Sequence, residues 1–129
     1  MERKRQYETE LESMPPGLDR AVLRVVSAYK TAAPIPRGTL VIAVGMNGFH
    51  VSERQVRETI KTLRRQGHLI CSVPGNDGGY YMAASLEEYR EFRKNEYAAK
   101  ISDMSETMRA MDDAARAQFG DGFQLGLGV

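Results

Sequence analysis

Residues 51–83 read VSERQVRETIKTLRRQGHLICSVPGNDGGYYMA, and their hydrophobic period changes at Gly67. Before this glycine, apolar residues recur with helical spacing, and Ser52 is a favourable N-cap with Gln55 at the reciprocal position of a capping box. Glycine is the residue type that most often ends a helix in a left-handed conformation. The pattern therefore predicts a helix over about residues 53–66.

Two short runs of strand formers, residues 69–73 and 79–83, flank a glycine-rich turn, a pattern typical of a β-hairpin. A glycine-rich loop can instead cradle a phosphate, but such a loop leads into a helix, and a P-loop also ends in Gly-Lys-Ser or Gly-Lys-Thr. Here Tyr-Tyr-Met-Ala follows, which favours the hairpin. Its tip carries Asn76 and Asp77 rather than cations, so we expect the tip to attract anions poorly.

Two further apolar segments lie on the N-terminal side of this stretch. Residues 18–30, LDRAVLRVVSAYK, have helical spacing and predict a core helix. Residues 37–45, RGTLVIAVG, are mostly apolar, and periodicity alone leaves a buried helix and a buried strand open. An N-terminal extension, residues 1–17, ends in Pro-Pro-Gly and is expected to be partly helical.

The segment after the hairpin, residues 85–119, contains neither proline nor glycine and predicts a long C-terminal helix. Its apolar side chains alternate spacings of four and three, which is the heptad pattern of a coiled coil. The resulting seam consists of Tyr97, Ile101, Met104, Met108, Met111 and Ala115. We expect this seam to form a homodimer, and packing of the stripe on its own domain is the alternative. Residues 120–129 are glycine-rich and are expected to form a flexible tail.

Charge is distributed unevenly along a chain whose formal net charge is only +1. Residues 18–84 carry nine basic and four acidic side chains, whereas residues 85–119 carry six basic and eight acidic ones. The central segment is therefore a moderately basic domain of 67 residues between near-neutral or acidic neighbours. This segregation favours a local anion-binding surface, with nucleic acid as the first candidate ligand.

Several functional classes lack the residues that they need. Cys71 is the only cysteine, which excludes an internal disulfide, and with only His50 and His68 beside it a Cys/His zinc site lacks ligands. We therefore expect no metal, no cofactor and no enzymatic activity, because Cys71 lies in an apolar run without an adjacent base. No apolar run is long enough for a membrane span or a signal peptide, so a cytoplasmic location is expected.

The predicted order of three helices and a two-stranded hairpin within residues 18–84 resembles the winged helix-turn-helix superfamily of DNA-binding proteins. The biotin-operon-repressor type has a recognition helix, Leu-Arg-x-x-Gly, a strand, Gly-Tyr and a second strand, and residues 51–83 are similar to it. Winged regulators of phages and bacteria share this order. The resemblance implies a mainly α fold with a small β-hairpin, a winged helix-turn-helix plus a long C-terminal helix.

The same resemblance assigns residues 37–45 to the helix before the recognition helix. Residues 45–50 lengthen the turn between these two helices relative to the usual family pattern.

A helical wheel gives the predicted recognition helix two faces. Val56, Ile60 and Leu63 fall on one face. Arg54, Glu58, Lys61 and Arg65 fall opposite, flanked by Arg57 and Arg64. A solvated outer face is one interpretation, but five basic residues against two acidic ones between residues 52 and 67 favour nucleic-acid binding.

The docking mode that the resemblance implies puts the N-terminal half of this helix in the major groove. We expect Arg54 and Gln55 to read bases, because Arg pairs with guanine and Gln with adenine through two hydrogen bonds. The expected phosphate contacts are Arg37, Ser52, Arg57 and Lys61.

The function predicted from these features is sequence-specific binding of double-stranded DNA by a homodimeric transcriptional regulator. The alternative is a winged-helix protein-interaction module, or a phage or bacterial replication or recombination accessory factor that binds another replication or regulatory protein. Gln124, Leu125 and Leu127 in the tail resemble the Gln-Leu-x-Leu-type peptides with which bacterial DNA-handling proteins bind the sliding clamp. A weakly apolar tail without a partner is the other interpretation of these residues.

Overall fold

The structure is a computed structural model that describes residues 11–76 and 78–120. It is mainly helical, at 64%, with a small antiparallel sheet and a long C-terminal helix, which confirms the predicted fold class. The elements are α1 (Leu18–Ser27), β1 (Ile35–Pro36), α2 (Arg37–Met46), α3 (Glu53–Arg65), β2 (Ile70–Val73), β3 (Gly79–Met82), α4 (Leu86–Arg93), a π-helical segment (Lys94–Ala98) and α5 (Ala99–Phe119). The chain divides into two compact units, Met1–Tyr89 and Arg90–Val129.

The first unit has one hydrophobic core, to which all three of its first helices contribute. The fully buried side chains of these helices are Val22, Leu23 and Val26 from α1, Leu40 and Val44 from α2, and Val56, Ile60 and Leu63 from α3. Tyr80 and Met82 of β3 and Ile70 of β2 complete the core on the sheet side. Burial at spacings of three and four along each helix is what an amphipathic helix in a globular domain requires.

Helix α2 occupies the segment that periodicity left open between a helix and a strand. It spans Arg37–Met46, directly after Pro36, and buries only Leu40 and Val44. Ile42 and Met46 are exposed although apolar, and Val41 is half-buried against the core, so apolar side chains lie on several faces and the sequence shows no clear helical period.

The sheet has three strands in the order β1-β3-β2, all antiparallel. The hairpin of β2 and β3 was predicted, whereas β1 was not. Ile35 pairs with Tyr80 and Pro36 with Gly79. This pairing needs glycine at position 79, because a Cβ there would collide with the backbone carbonyl of Ile35.

The turn of the hairpin depends on glycines for two different reasons. Gly75 has a φ of 97°, in the left-handed region that favours glycine. Gly78 is needed for space instead, since a Cβ at this position would collide with the carbonyl oxygen of Val73. Asp77, between them, lies outside the described residues.

The predicted C-terminal helix is helical throughout residues 86–119, with a π-helical segment at Lys94–Ala98. A π turn aligns residues five apart, and Phe92 and Tyr97 accordingly form an edge-to-face aromatic pair with ring centroids 5.6 Å apart. Helix α5 contains no buried residue. Within the described residues, no helix is both long enough and apolar enough to cross a membrane.

Candidate nucleic-acid interface

Helix α3 begins with the predicted capping box. The Ser52 hydroxyl accepts a hydrogen bond from the backbone N–H of Gln55 at 3.2 Å, and the backbone N–H of Ser52 donates to Gln55 Oε1 at 2.8 Å. The helix ends at Arg65, and Gly67, directly after the C-cap residue Gln66, has a φ of 96°, which confirms the predicted left-handed residue. Capping at both ends fixes the length and start of α3, and therefore the direction of each side chain along it.

The two faces of α3 are those of the helical wheel. Val56, Ile60 and Leu63 are buried in the core. The side chains of Arg54, Arg57, Lys61 and Arg65 are all exposed on the opposite side. Spacings of three, four and seven residues bring these four cations to one side of the helix, which we call the α3 basic face.

No ion pair between described residues neutralises the α3 basic face. The one acidic residue within it, Glu58, is also exposed and accepts a hydrogen bond only through its backbone carbonyl, from Thr62. The face therefore carries four cations and one carboxylate, so its net charge is positive along the length of α3. Such a surface suits a polyanion.

Ser52 and Gln55, predicted to contact phosphate and base, already use their side-chain oxygens in the capping box. Adenine recognition by glutamine needs its Oε1 as an acceptor and its Nε2 as a donor. To read adenine, Gln55 must therefore either turn away from Ser52 or share Oε1 between two donors. The side chain of Arg54 makes no hydrogen bond or ion pair with another described residue. Arg54 is therefore the better placed of the two predicted base readers.

Arg37, a predicted phosphate contact, lies against the hairpin rather than beside α3. Its guanidinium donates to the carbonyl oxygen of Gly75 at 3.4 Å and stacks over the ring of Tyr80, 5.8 Å from the centroid. Both contacts occupy part of the guanidinium with the hairpin turn. The structure thus places this cation against the hairpin, next to its glycine turn.

Arg64 was predicted only to flank the basic face, and it joins α3 to the hairpin. Its Nε donates to the carbonyl oxygen of Ile70 at 2.8 Å and its guanidinium to the hydroxyl of Ser72 at 3.3 Å. Charge-assisted hydrogen bonds of this kind hold the hairpin at a fixed position relative to the helix. The sequence did not predict this role. Arg64 and Arg65 are adjacent arginines in the last turn of α3, and nothing in the sequence indicates which of them contacts the hairpin.

The predicted seam of the C-terminal helix is solvent-exposed along its length. Tyr97, Ile101, Met104, Met108 and Met111 are all exposed, with Met104 at 71%. Ala115 is half-buried. Such a contiguous apolar stripe on one helix marks an interaction surface more often than a solvated face.

A second exposed apolar surface, which the sequence did not predict, lies on α2. Ile42 and Met46 are 66% and 84% exposed and line an open groove together with Val41, Gly45, His50 and Val51. The signal for it was the mostly apolar segment of residues 37–45, whose periodicity did not separate a buried face from an exposed one.

Cys71 is buried in β2, as predicted for an inert core residue. Burial raises the pKa of its thiol, while the hydroxyl of Tyr81 and the charge of Arg64 act in the opposite direction. A thiol with a raised pKa forms little thiolate near neutral pH and is a poor nucleophile. No group of three or more metal-ligating side chains occurs among the described residues.

Comparison of the chain with known protein families, curated proteins and solved structures found no match. The predicted clamp-binding residues Gln124, Leu125 and Leu127 lie outside the described residues. The α3 basic face, the exposed seam and the α2 groove are therefore the surfaces that bear on its function.

Proposed function

We propose that this protein is a winged helix-turn-helix, double-stranded DNA-binding protein that acts as a homodimeric transcriptional regulator in the cytoplasm, without enzymatic activity. The observation that carries this proposal is the α3 basic face, because its cations have no carboxylate partners among the described residues. Arg54 is the principal base-reading residue, and Arg57 and Lys61 contact phosphates on either side of the major groove.

Two features of the first unit support insertion of α3 into DNA. The helix exposes Arg54, Arg57 and Lys61 over its N-terminal and central turns, which is the part that enters the groove in this docking mode. Arg64 and the core hold the opposite side of α3 against the hairpin and the other helices. A rigidly held helix with a free cationic face loses little conformational entropy on binding.

Dimerisation through α5 supplies the second recognition helix. A 21-residue helix without buried side chains is only marginally stable alone in water, and pairing of its seam would bury Ile101, Met104 and Met108. A dimer of this kind presents two α3 helices to successive major grooves, about 34 Å apart, on a pseudo-palindromic site.

The test begins with selection of binding sites from a random DNA pool, followed by fluorescence anisotropy on the selected site. Arg54→Ala combined with Lys61→Ala should weaken binding by at least about 100-fold, since each contact contributes on the order of 1–3 kcal/mol. For a dimer that neutralises about six to eight phosphates, log K should fall with log salt at a slope of roughly −5 to −7.

The matched control is Arg93→Ala combined with Lys94→Ala. These residues are also an arginine and a lysine, both exposed and in no ion pair between described residues, so the control makes the same change in net charge on another part of the chain. Equal losses in the two double variants, or a flat salt response of the unaltered protein, would contradict recognition by α3.

The second candidate function is that of a protein-interaction module, including a replication or recombination accessory factor of a phage or a bacterium. The exposed apolar groove around Ile42 and Met46 favours it, because such a surface suits the apolar face of a partner helix. The same double variant at Arg54 and Lys61 distinguishes the two functions, since a partner bound at the groove should retain its affinity.

A further inference from the structure

A small polar cavity lies between the start of α1 and the turn that precedes α3. It has a volume of about 230 Å³ and is lined by Pro16, Gly17, Arg20, Ala21, Arg24, Asn47 and Phe49. The lining residues from Gly17 to Arg24 are the N-cap of α1 followed by Arg20, Ala21 and Arg24, whose spacing puts them on one side of the helix. The long turn over residues 45–50 supplies the opposite wall.

Two arginines give this cavity its charge. Arg20 is half-buried and Arg24 is exposed, and no ion pair between described residues includes either of them. None of the lining residues is acidic, although Asp19 is in the same turn of α1. Two cations around a cavity of this size create a site for a compact anion.

Arg20 is partly removed from water. Its Nε is buried and has no hydrogen-bond partner among the described residues. Burying part of a charged group without a partner is costly, and a nearby opposite charge reduces that cost. Because Arg20 also lines the cavity, an anion held there would compensate the charge of its guanidinium.

The cavity lies at the start of α1, where the first N–H groups of the helix have no side-chain cap among the described residues. The N-cap residue of α1 is Gly17, which has no side chain to accept from the N–H groups of the first helical turn, and the first intrahelical bond is from Ala21 to the Gly17 carbonyl. Across the cavity, Asn47 is held in place because its Nδ2 donates to the carbonyl oxygen of Ala43 at 2.9 Å. Arginines and free N–H groups together are the donor set that proteins use for phosphate.

We propose that this cavity binds a phosphate group through Arg20 and Arg24. Phe49 of the cavity wall is three residues before Ser52, and three residues of extended chain span at most about 10 Å. A backbone phosphate of a duplex engaged by α3 is therefore within reach, an assignment that rests on the proposed function. The other source of the same chemistry is free phosphate or a small phosphorylated effector.

The first arm of the test titrates the full-length protein with inorganic phosphate at constant ionic strength and follows thermal unfolding and the ³¹P line width. Phosphate should raise the unfolding temperature above that in chloride. Arg24→Gln, at an exposed position, and Arg20→Lys, which keeps the charge but loses the planar fork, should each weaken phosphate binding about tenfold. Arg109→Gln, an equal charge change on exposed α5, should behave as the unaltered protein.

The second arm measures the salt dependence of DNA affinity for the same variants. A DNA phosphate in the cavity predicts a slope that is smaller in magnitude by about one per site in Arg24→Gln and unchanged in Arg109→Gln. A smaller slope in Arg24→Gln supports a DNA phosphate as the ligand of the cavity, whether or not the protein also responds to inorganic phosphate. Loss of the phosphate response with an unchanged slope supports a free phosphate ligand.

The two proposals fail separately. If the unaltered protein binds no DNA but responds to phosphate through Arg20 and Arg24, the cavity is a phosphate site and the proposed function is wrong. If phosphate acts no differently from chloride and Arg24→Gln leaves the slope unchanged, the cavity does not bind phosphate.

Discussion

Helices α3 and α5 each carry an apolar stripe among charged residues, and the two stripes differ in what covers them. On α3 the stripe is buried, with Ile60 only 1% exposed, and the charged side chains face solvent. On α5 the stripe itself faces solvent, with Ile101 63% exposed. Helix α3 therefore buries its apolar face in the core and exposes its cations. Helix α5 exposes its apolar face.

This difference assigns different binding chemistry to the two helices. The exposed face of α3 suits a polyanion, whose affinity depends on salt. The exposed face of α5 suits another apolar helix face, whose affinity depends on buried area. A DNA-binding dimer needs both kinds of surface on separate elements, so that pairing of the chains does not cover the cations.

The largest expected effect is on stability, when an isoleucine is replaced by alanine in the apolar stripe of α3 and, for comparison, in that of α5. Ile60→Ala should lower the free energy of unfolding by about 3–4 kcal/mol, because it leaves a cavity in a packed core. Ile101→Ala should change the unfolding of the first unit by less than about 0.5 kcal/mol, since its side chain has no core around it. Urea unfolding followed by near-UV circular dichroism, which reports on the buried Tyr80 and Tyr81, measures both. Similar losses in the two variants would mean that the α5 stripe is part of the core.

The next effect concerns self-association. Met108→Glu places a carboxylate in the seam of α5. In a dimer, two such carboxylates would lie near each other in an interface from which water is excluded, so the dimer dissociation constant should rise at least about 100-fold. Sedimentation equilibrium of the full-length chain measures it.

Met46→Glu is the control for this substitution, because Met46 is an even more exposed methionine, on α2. It should leave the mass unchanged. If Met46→Glu instead dissociates the protein and Met108→Glu does not, the α2 groove is the dimer interface.

The sequence predicted α3 and the hairpin well because several local signals agree there. The capping box, the glycine at position 67 and the helical spacing of Val56, Ile60 and Leu63 all specify the same helix, and each is a short-range property. The same wheel identified the exposed cations of α3, since the buried face of a helix fixes the opposite one.

Other features depend on contacts between distant residues and were not predictable in this way. Strand β1 has two residues, one of them a proline, and exists only because β3 lies beside it. The roles of Arg37 and Arg64 at the hairpin depend on where the hairpin approaches α2 and α3. A local pattern also gave two assignments for one side chain, since Gln55 was predicted both to cap α3 and to read a base.

A smaller effect tests how α3 is held at its start. Ser52→Ala removes the side-chain acceptor of the capping box and should lower the free energy of unfolding by about 1 kcal/mol. Ser102→Ala, at an exposed position inside the continuous helical stretch 86–119, should stabilise that helix slightly because alanine has the higher helix propensity. Thermal unfolding followed at 222 nm gives both values, and a Ser52→Ala variant as stable as the unaltered protein would mean that the capping box contributes nothing measurable.

The smallest effect examines the one carboxylate in the α3 basic face. Glu58→Gln removes a negative charge between Arg54, Arg57 and Lys61 without changing the size of the side chain, so a phosphate backbone near this face should bind about two- to fivefold more tightly at low salt. Glu106→Gln makes the same change at an exposed position on α5 and should leave DNA affinity unaltered. Anisotropy titrations at two salt concentrations measure both variants, and the gain at Glu58 should shrink as salt increases, because screening weakens the repulsion that the substitution removes. A loss of affinity in Glu58→Gln would mean that Glu58 accepts a hydrogen bond from a base, such as cytosine N4, and that the face reads sequence through its carboxylate as well as its cations.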